Sequence, residues 1–152
     1  MRVDSLFIKK KKDRTIEKIE EGYLIKDYGL AGDINGVGGD RQVSIATKKV
    51  RRYMEKGDLE GICSNRFYEN ITIEGLNIEK LYIGQWIIIG DTVQEITSIG
   101  KRCFPECNLL ISHNPCPLFK EVLFAKVIKE GPIKVGDKVD LINNTNLQDE
   151  IR

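Results

Sequence analysis

Leu81 to Gly100, LYIGQWIIIGDTVQEITSIG, reads as a β-hairpin. An apolar run, Trp86 to Ile89, meets a Gly90-Asp91 turn, after which Val93, Glu95 and Thr97 alternate with Gln94, Ile96 and Ser98. Alternation of period two places successive side chains on opposite faces of a strand, and Gly-Asp supplies the turn. Toward the C-terminus the pattern returns: Phe124 to Ile128, then Lys-Glu-Gly, Pro132 to Val135, Gly136-Asp137 and Val139 to Leu141 predict a second β ribbon with tight turns. Toward the N-terminus, Val3 to Ile8 has strand character, while Ile16, Ile19, Tyr23, Leu24 and Ile25 mark shorter extended pieces among charged turns. Arg41 to Ile45 alternates polar and apolar; ATKKVRRYMEK, residues 46–56, holds good helix formers with Val50 and Met54 four apart and stops at Gly57. The expectation is a mainly β chain with one or two short helices, closed as a barrel or curled sheet so that strand edges are covered.

The 152 residues suit one core better than two, since each half alone would bury too little apolar surface. Residues 1–142 are read as a single domain and residues 143–152 as a polar tail. Twenty-four Lys and Arg against 23 Asp and Glu leave a formal net charge of +1, so no global positive field supports nucleic-acid binding. The basic cluster Lys9 to Lys12 is soon answered by Glu17, Glu20 and Glu21, as on a solvated strand end. No long uncharged run suits a membrane span, and the opening MRVDSLFIKKKK lacks the apolar core of a signal peptide, so a cytoplasmic protein is expected. In a reducing compartment its four cysteines are expected as free thiols, ligands or reaction partners.

GLAGDINGVGG, residues 29–39, carries five glycines in eleven residues, a density that favours an irregular loop over a regular element. Four blocks in order, GLAGDINGVGGDRQVSI, SNRFYENITIEGL, IGQWIIIGDTVQEITSIGKRC and FAKVIKEGPIKVGDKV, resemble the MOSC domains that form the C-terminal part of molybdenum-cofactor sulfurases and also occur as small bacterial proteins. The resemblance implies a β-barrel-like MOSC fold and a molybdenum pterin cofactor. It further implies a cleft lined by Gly32, Asp33 and Asn35 of the glycine-rich loop, Arg41 and Gln42 of the strand that follows, Arg66, Phe67, Glu69, Asn70 and Thr72 of the RFYENIT block, and Lys101. The family usually reads Gly-Asp-x-His in the first block, but Asn35 stands here in place of the histidine, so no imidazole role carries over. The residues also suit an anion site in their own right. Glycines let backbone N–H groups approach a ligand, and arginines grip phosphate through paired hydrogen bonds. Arg41 or Arg66 pairing instead with Asp40 or Glu69 is the structural alternative.

Three cysteines and the single histidine share GKRCFPECNLLISHNPCP: Cys103, Cys107, His113 and Cys116. The resemblance points to Cys103, placed just beyond the hairpin where MOSC domains hold their characteristic thiol, as acceptor of a persulfide sulfur or ligand to molybdenum. Lys101 and Arg102 directly before it favour the thiolate, the form that attacks sulfur or binds a soft metal. Glu106 is a candidate proton carrier. The same stretch offers a rival reading, a Cys103, Cys107, His113 and Cys116 tetrad for zinc; buried apolar cysteines, or a redox pair of Cys103 and Cys107, are further alternatives. Cys63 stands apart and reads as structural.

Three functions therefore remain open: a cofactor-binding sulfur carrier, a molybdenum-dependent reductase of N-hydroxylated compounds with a separate electron donor, or a zinc-stabilised binding protein. In the large sulfurases a separate pyridoxal-phosphate domain mobilises the sulfur, and the length of this chain leaves no room for one. A sulfur-donor protein or a molybdoenzyme is accordingly the expected partner.

Overall fold

The computed structural model describes residues 1–10, 15–36, 38–55, 68–100 and 120–143. Eleven strands run through them: β1 (Arg2–Lys9), β2 (Ile16–Ile19), β3 (Glu21–Ile25), β4 (Gly29–Leu30), β5 (Val43–Thr47), β6 (Ile71–Glu74), β7 (Trp86–Ile89), β8 (Thr92–Ile99), β9 (Val122–Lys129), β10 (Gly131–Lys134) and β11 (Val139–Ile142). One α-helix, α1 (Lys48–Glu55), follows β5, and a 3-10 turn spans Ile78–Lys80. The mainly β expectation with short helices holds. Thr47 starts the helix: its Oγ1 accepts the backbone N–H of Val50 at 3.3 Å, while its own hydroxyl donates to Glu121 Oε2 at 2.8 Å.

Eight strands form one sheet in the order β11-β7-β8-β9-β5-β6-β1-β2, and β10-β3-β4 form a second. All pairs in the large sheet are antiparallel except β5 with β6, which run parallel with Ile45 opposite Ile71. Among the described residues the ladder is not closed into a barrel. A single bridge, Arg2 opposite Lys138, draws its two sides together, supported by Val3 N–H on Asp137 O at 2.9 Å and Val139 N–H on Met1 O at 3.0 Å.

The hairpin from which the fold was read is present, with Ile88 opposite Val93. The second ribbon is not built as expected. Its strands form, but β9 pairs with β8 and β5, β10 crosses to β3, and β11 returns to β7. Pro132 offers no N–H, which suits it to the edge position that β10 occupies in the smaller sheet.

Alternation divides the large sheet into two faces. Leu6 and Ile8, Val43 and Ile45, Ile71 and Ile73, and Leu123, Ala125 and Val127 all belong to one buried apolar cluster. The intervening residues Ser5, Phe7, Ser44, Ala46, Thr72 and Phe124 face the other way, and α1 packs there through Arg51, whose guanidinium lies 4.5 Å from the centre of the Phe7 ring. This second face is partly polar yet well covered: Ser5 and Thr72 are buried.

Candidate functional site

Phe124 is the meeting point of three chain segments on the second face. It lies opposite Ser44 of β5 on one side and Ser98 of β8 on the other. Above its ring sits the Arg41 guanidinium, 4.7 Å from the centroid. Arg41 is exposed, and among the described residues it has no carboxylate partner. The glycine-rich segment is fastened to the end of β8 because the Thr97 hydroxyl donates to the carbonyl oxygen of Asp40. Ser98, one residue on, buries a hydroxyl oxygen that has no hydrogen-bond partner among the described residues. Arg41 therefore stands beside the strand end from which the chain runs through Gly100 toward Cys103.

A second cluster holds the glycine-rich loop in place. Asp33, buried at 2% exposure, accepts the backbone N–H of Lys9 at 2.9 Å, the N–H of Asn35 at 3.3 Å and the Tyr68 hydroxyl at 2.7 Å. One carboxylate thus joins the end of β1, its own loop and the segment leading into β6. Asn35 donates its side-chain N–H to the Tyr68 oxygen at 2.8 Å. Burial, reinforced by the Asp33 carboxylate, holds the Tyr68 phenol far above its ordinary range, so it stays protonated and donating. The Lys9 ammonium lies over the Tyr68 ring, 5.4 Å from its centre. Gly32 takes φ +86°, which lets the chain turn there, and Gly29 takes φ +132° so close to β5 that a Cβ would run into the carbonyl oxygen of Gln42.

Four further residues expected in the cleft lie beneath its surface. Glu69 has no exposed surface; Arg51 of α1 grips both its oxygens, with Nε on Oε2 at 2.9 Å, and the Thr72 hydroxyl adds a bond of 2.7 Å to Oε2. Asn70 accepts Ser44 N–H at 3.0 Å and Ser44 O–H at 3.2 Å on its Oδ1, and donates to Phe7 O at 3.2 Å. Gln42 donates to Gly39 O and accepts Val127 N–H, each at 2.9 Å. Their polar groups are occupied within the protein, so these side chains shape the second face from below.

The structure thus gathers Asp33 and Asn35 in one cluster, Glu69 and Thr72 in another, and sets Arg41 on Phe124. Arg66, Phe67, Lys101, Cys103, Cys107, His113, Cys116 and Cys63 lie outside the described residues, and so do both readings of the cysteine cluster. Tyr68 and Arg51 were missed by sequence reasoning. Tyr68 sits at the variable position of Arg-Phe-x-Glu-Asn, but a tyrosine amid such a polar block is a signal for a hydroxyl with a partner. Arg51 looks like one of several cations on an exposed helix and carries no signal of its own.

Comparison with known proteins agrees with this architecture. YuaD from Bacillus subtilis superposes with a TM-score of 0.65 at 13% identity, covering 92% of this chain and 94% of that one. YiiM from Escherichia coli gives a TM-score of 0.60 at 19% identity, covering 94% of this chain and 70% of the other. At such identities the likeness is one of fold. No curated protein matches the chain. The model of the MOSC domain matches residues 32–140, from the glycine-rich loop to the last strand, and the chain belongs to the MOSC domain family.

Proposed function

We propose that the chain binds a molybdenum pterin cofactor on the second face of its sheet, and that Cys103 receives sulfur there and presents it to the metal. MOSC domains are associated with the molybdenum cofactor. The observation that carries the reading is the convergence on Phe124, where the Arg41 guanidinium and the Ser98 hydroxyl of β8, both without a hydrogen-bond partner among the described residues, meet beside the strand that precedes Cys103 in sequence. The described residues fit the group. Arg41 suits the pterin's phosphate, since guanidinium binds phosphate through two parallel N–H bonds. Ser98 offers a hydroxyl that can donate and accept.

When bound, the cofactor supplies a metal that accepts sulfur. The protein's part is to orient it and to provide the thiol. The Cys103 thiolate attacks the outer sulfur of a donor persulfide; a new S–S bond forms on Cys103, the donor's S–S bond breaks, and the donor leaves as a thiol after taking up a proton. A separate sulfur-donor protein supplies the persulfide, and a molybdoenzyme is the recipient. Lys101 and Arg102, next in sequence to Cys103, favour its thiolate.

The test is to incubate the purified protein with a persulfide donor, weigh it and assay cyanolysable sulfur. A gain of one sulfur that disappears in Cys103→Ala is expected. No adduct, or an adduct that survives the substitution, overturns the carrier role. Elemental analysis of protein made alongside an intact cofactor pathway is expected to find molybdenum; one zinc per chain without molybdenum would favour the tetrad instead.

A further inference from the structure

The hydrogen bonds around Tyr68 fix the orientation of Asn35, and with it the kind of group the site can read. A phenol has one hydrogen. Tyr68 gives it to Asp33 Oδ1 at 2.7 Å, so its oxygen can only accept from the Asn35 side chain, 2.8 Å away. The reverse amide orientation would set two acceptors against each other. The Asn35 amide nitrogen therefore points inward, and its Oδ1 points away from Tyr68. Among the described residues no donor is bonded to that oxygen, and Asn35 is exposed.

The backbone of Tyr68 reaches the strand that pairs with Phe124. The Ser44 hydroxyl, on the strand opposite Phe124, lies 3.5 Å from the Tyr68 carbonyl oxygen. Tyr68 thus joins two neighbourhoods: its backbone meets Ser44, which lies opposite Phe124, and its hydroxyl meets Asn35. Asp33 and Lys9 are the charged groups that face the Tyr68–Asn35 pair from the described elements.

We propose that Asn35 is the specificity-determining residue of this site, a fixed hydrogen-bond acceptor that reads the amino edge of a pterin, and that Tyr68 is the positioning residue that keeps it so. This rests on the cofactor reading above. A neutral carbonyl oxygen accepts from an N–H donor and repels a carbonyl, so the site distinguishes a ring bearing an amino group from one bearing an oxo group. An imidazole at this place could switch between donor and acceptor with its protonation; the locked amide cannot.

The experiment compares the binding of pterin with that of lumazine, which carries a carbonyl where pterin carries the amino group, by calorimetry or ligand fluorescence. The protein is expected to prefer pterin by about fivefold to tenfold, the effect of one neutral hydrogen bond. Asn35→Leu is expected to abolish the preference, weakening pterin and relieving the repulsion of lumazine; because the residue is exposed, that variant keeps the fold. Tyr68→Phe, which frees the amide to turn over, is expected to reduce the preference while still binding both rings. Pterin binding with an unchanged preference in Asn35→Leu overturns the inference and leaves the cofactor reading standing. Binding of neither ring by the unaltered protein overturns both.

Discussion

Arg51 and Glu69 form a two-point ion pair beneath helix α1, with Glu69 fully buried and the arginine side chain 15% exposed. Removing one partner leaves the other charge without compensation in a dry setting, which ordinarily costs about 3–5 kcal/mol. Arg51→Met is therefore expected to lower the denaturant midpoint strongly. Arg51→Met combined with Glu69→Leu is expected to recover much of that loss, since the stranded carboxylate is gone. Urea titration of the two variants checks this, and equal instability of both would show that the pair's charge is not the cause.

Two glycines of the glycine-rich segment, Gly29 in β4 and Gly39 beyond it, should respond very differently to alanine. At Gly29 a Cβ meets the Gln42 carbonyl, a backbone group that cannot move aside without opening β5. Gly39 also has a positive φ, +79°, but no atom lies within 4 Å of its would-be Cβ. Gly39→Ala is expected to cost about 1–2 kcal/mol from conformation alone. Gly29→Ala should prevent folding or lower the melting temperature far more; thermal melts of the pair decide it.

Gln42 closes a gap between the loop and β9, with its carbonyl oxygen receiving the buried N–H of Val127. Leucine of similar bulk leaves that N–H unsatisfied, at a cost of about 1–3 kcal/mol. Gln42→Leu is expected to destabilise by that amount and to raise exchange at the Val127 amide, which hydrogen exchange resolves.

Tyr68 gives a signed pH prediction. Burial and the Asp33 carboxylate raise its folded-state value above the ordinary phenol value, so the unfolded chain loses this proton first as the solution becomes alkaline. The stabilisation is fully present below about pH 10 and is lost progressively above it. Stability should therefore fall on the alkaline side, and Tyr68→Phe should flatten that limb while lowering stability at neutral pH. Identical alkaline limbs in the two proteins would remove Tyr68 from the account.

The strands were legible because each carries its own alternation: Trp86 to Ser98 announces β7 and β8 without help from the rest of the chain. Pairing was not. Lys129-Glu130-Gly131 reads as a turn within a ribbon, but Pro132 in the strand that follows finds its partner at Tyr23, more than a hundred residues earlier. Nothing local encodes a choice made by the shape of the whole core. The site shows the same division. Asp33 and Asn35 stand out within the glycine-rich loop, and Arg41 beside it, whereas Glu69 looks like a cleft residue until Arg51, a helix cation with no distinguishing neighbour, is found covering it. Sequence shows which groups are polar; only packing shows which of them have already found a partner.

The seam between Arg2 and Lys138 has a consequence for how the molecule breathes. Every other junction in the large sheet is a ladder of several rungs, but here one rung and its flanking amides hold the two sides together. Such a junction parts at lower free energy than the strands on either side. The amides of Val3 and Val139 should consequently admit solvent in excursions that leave β5, at the middle of the sheet, shut, so that the molecule opens like a book from its spine's far edge while the face bearing Arg41 keeps its shape.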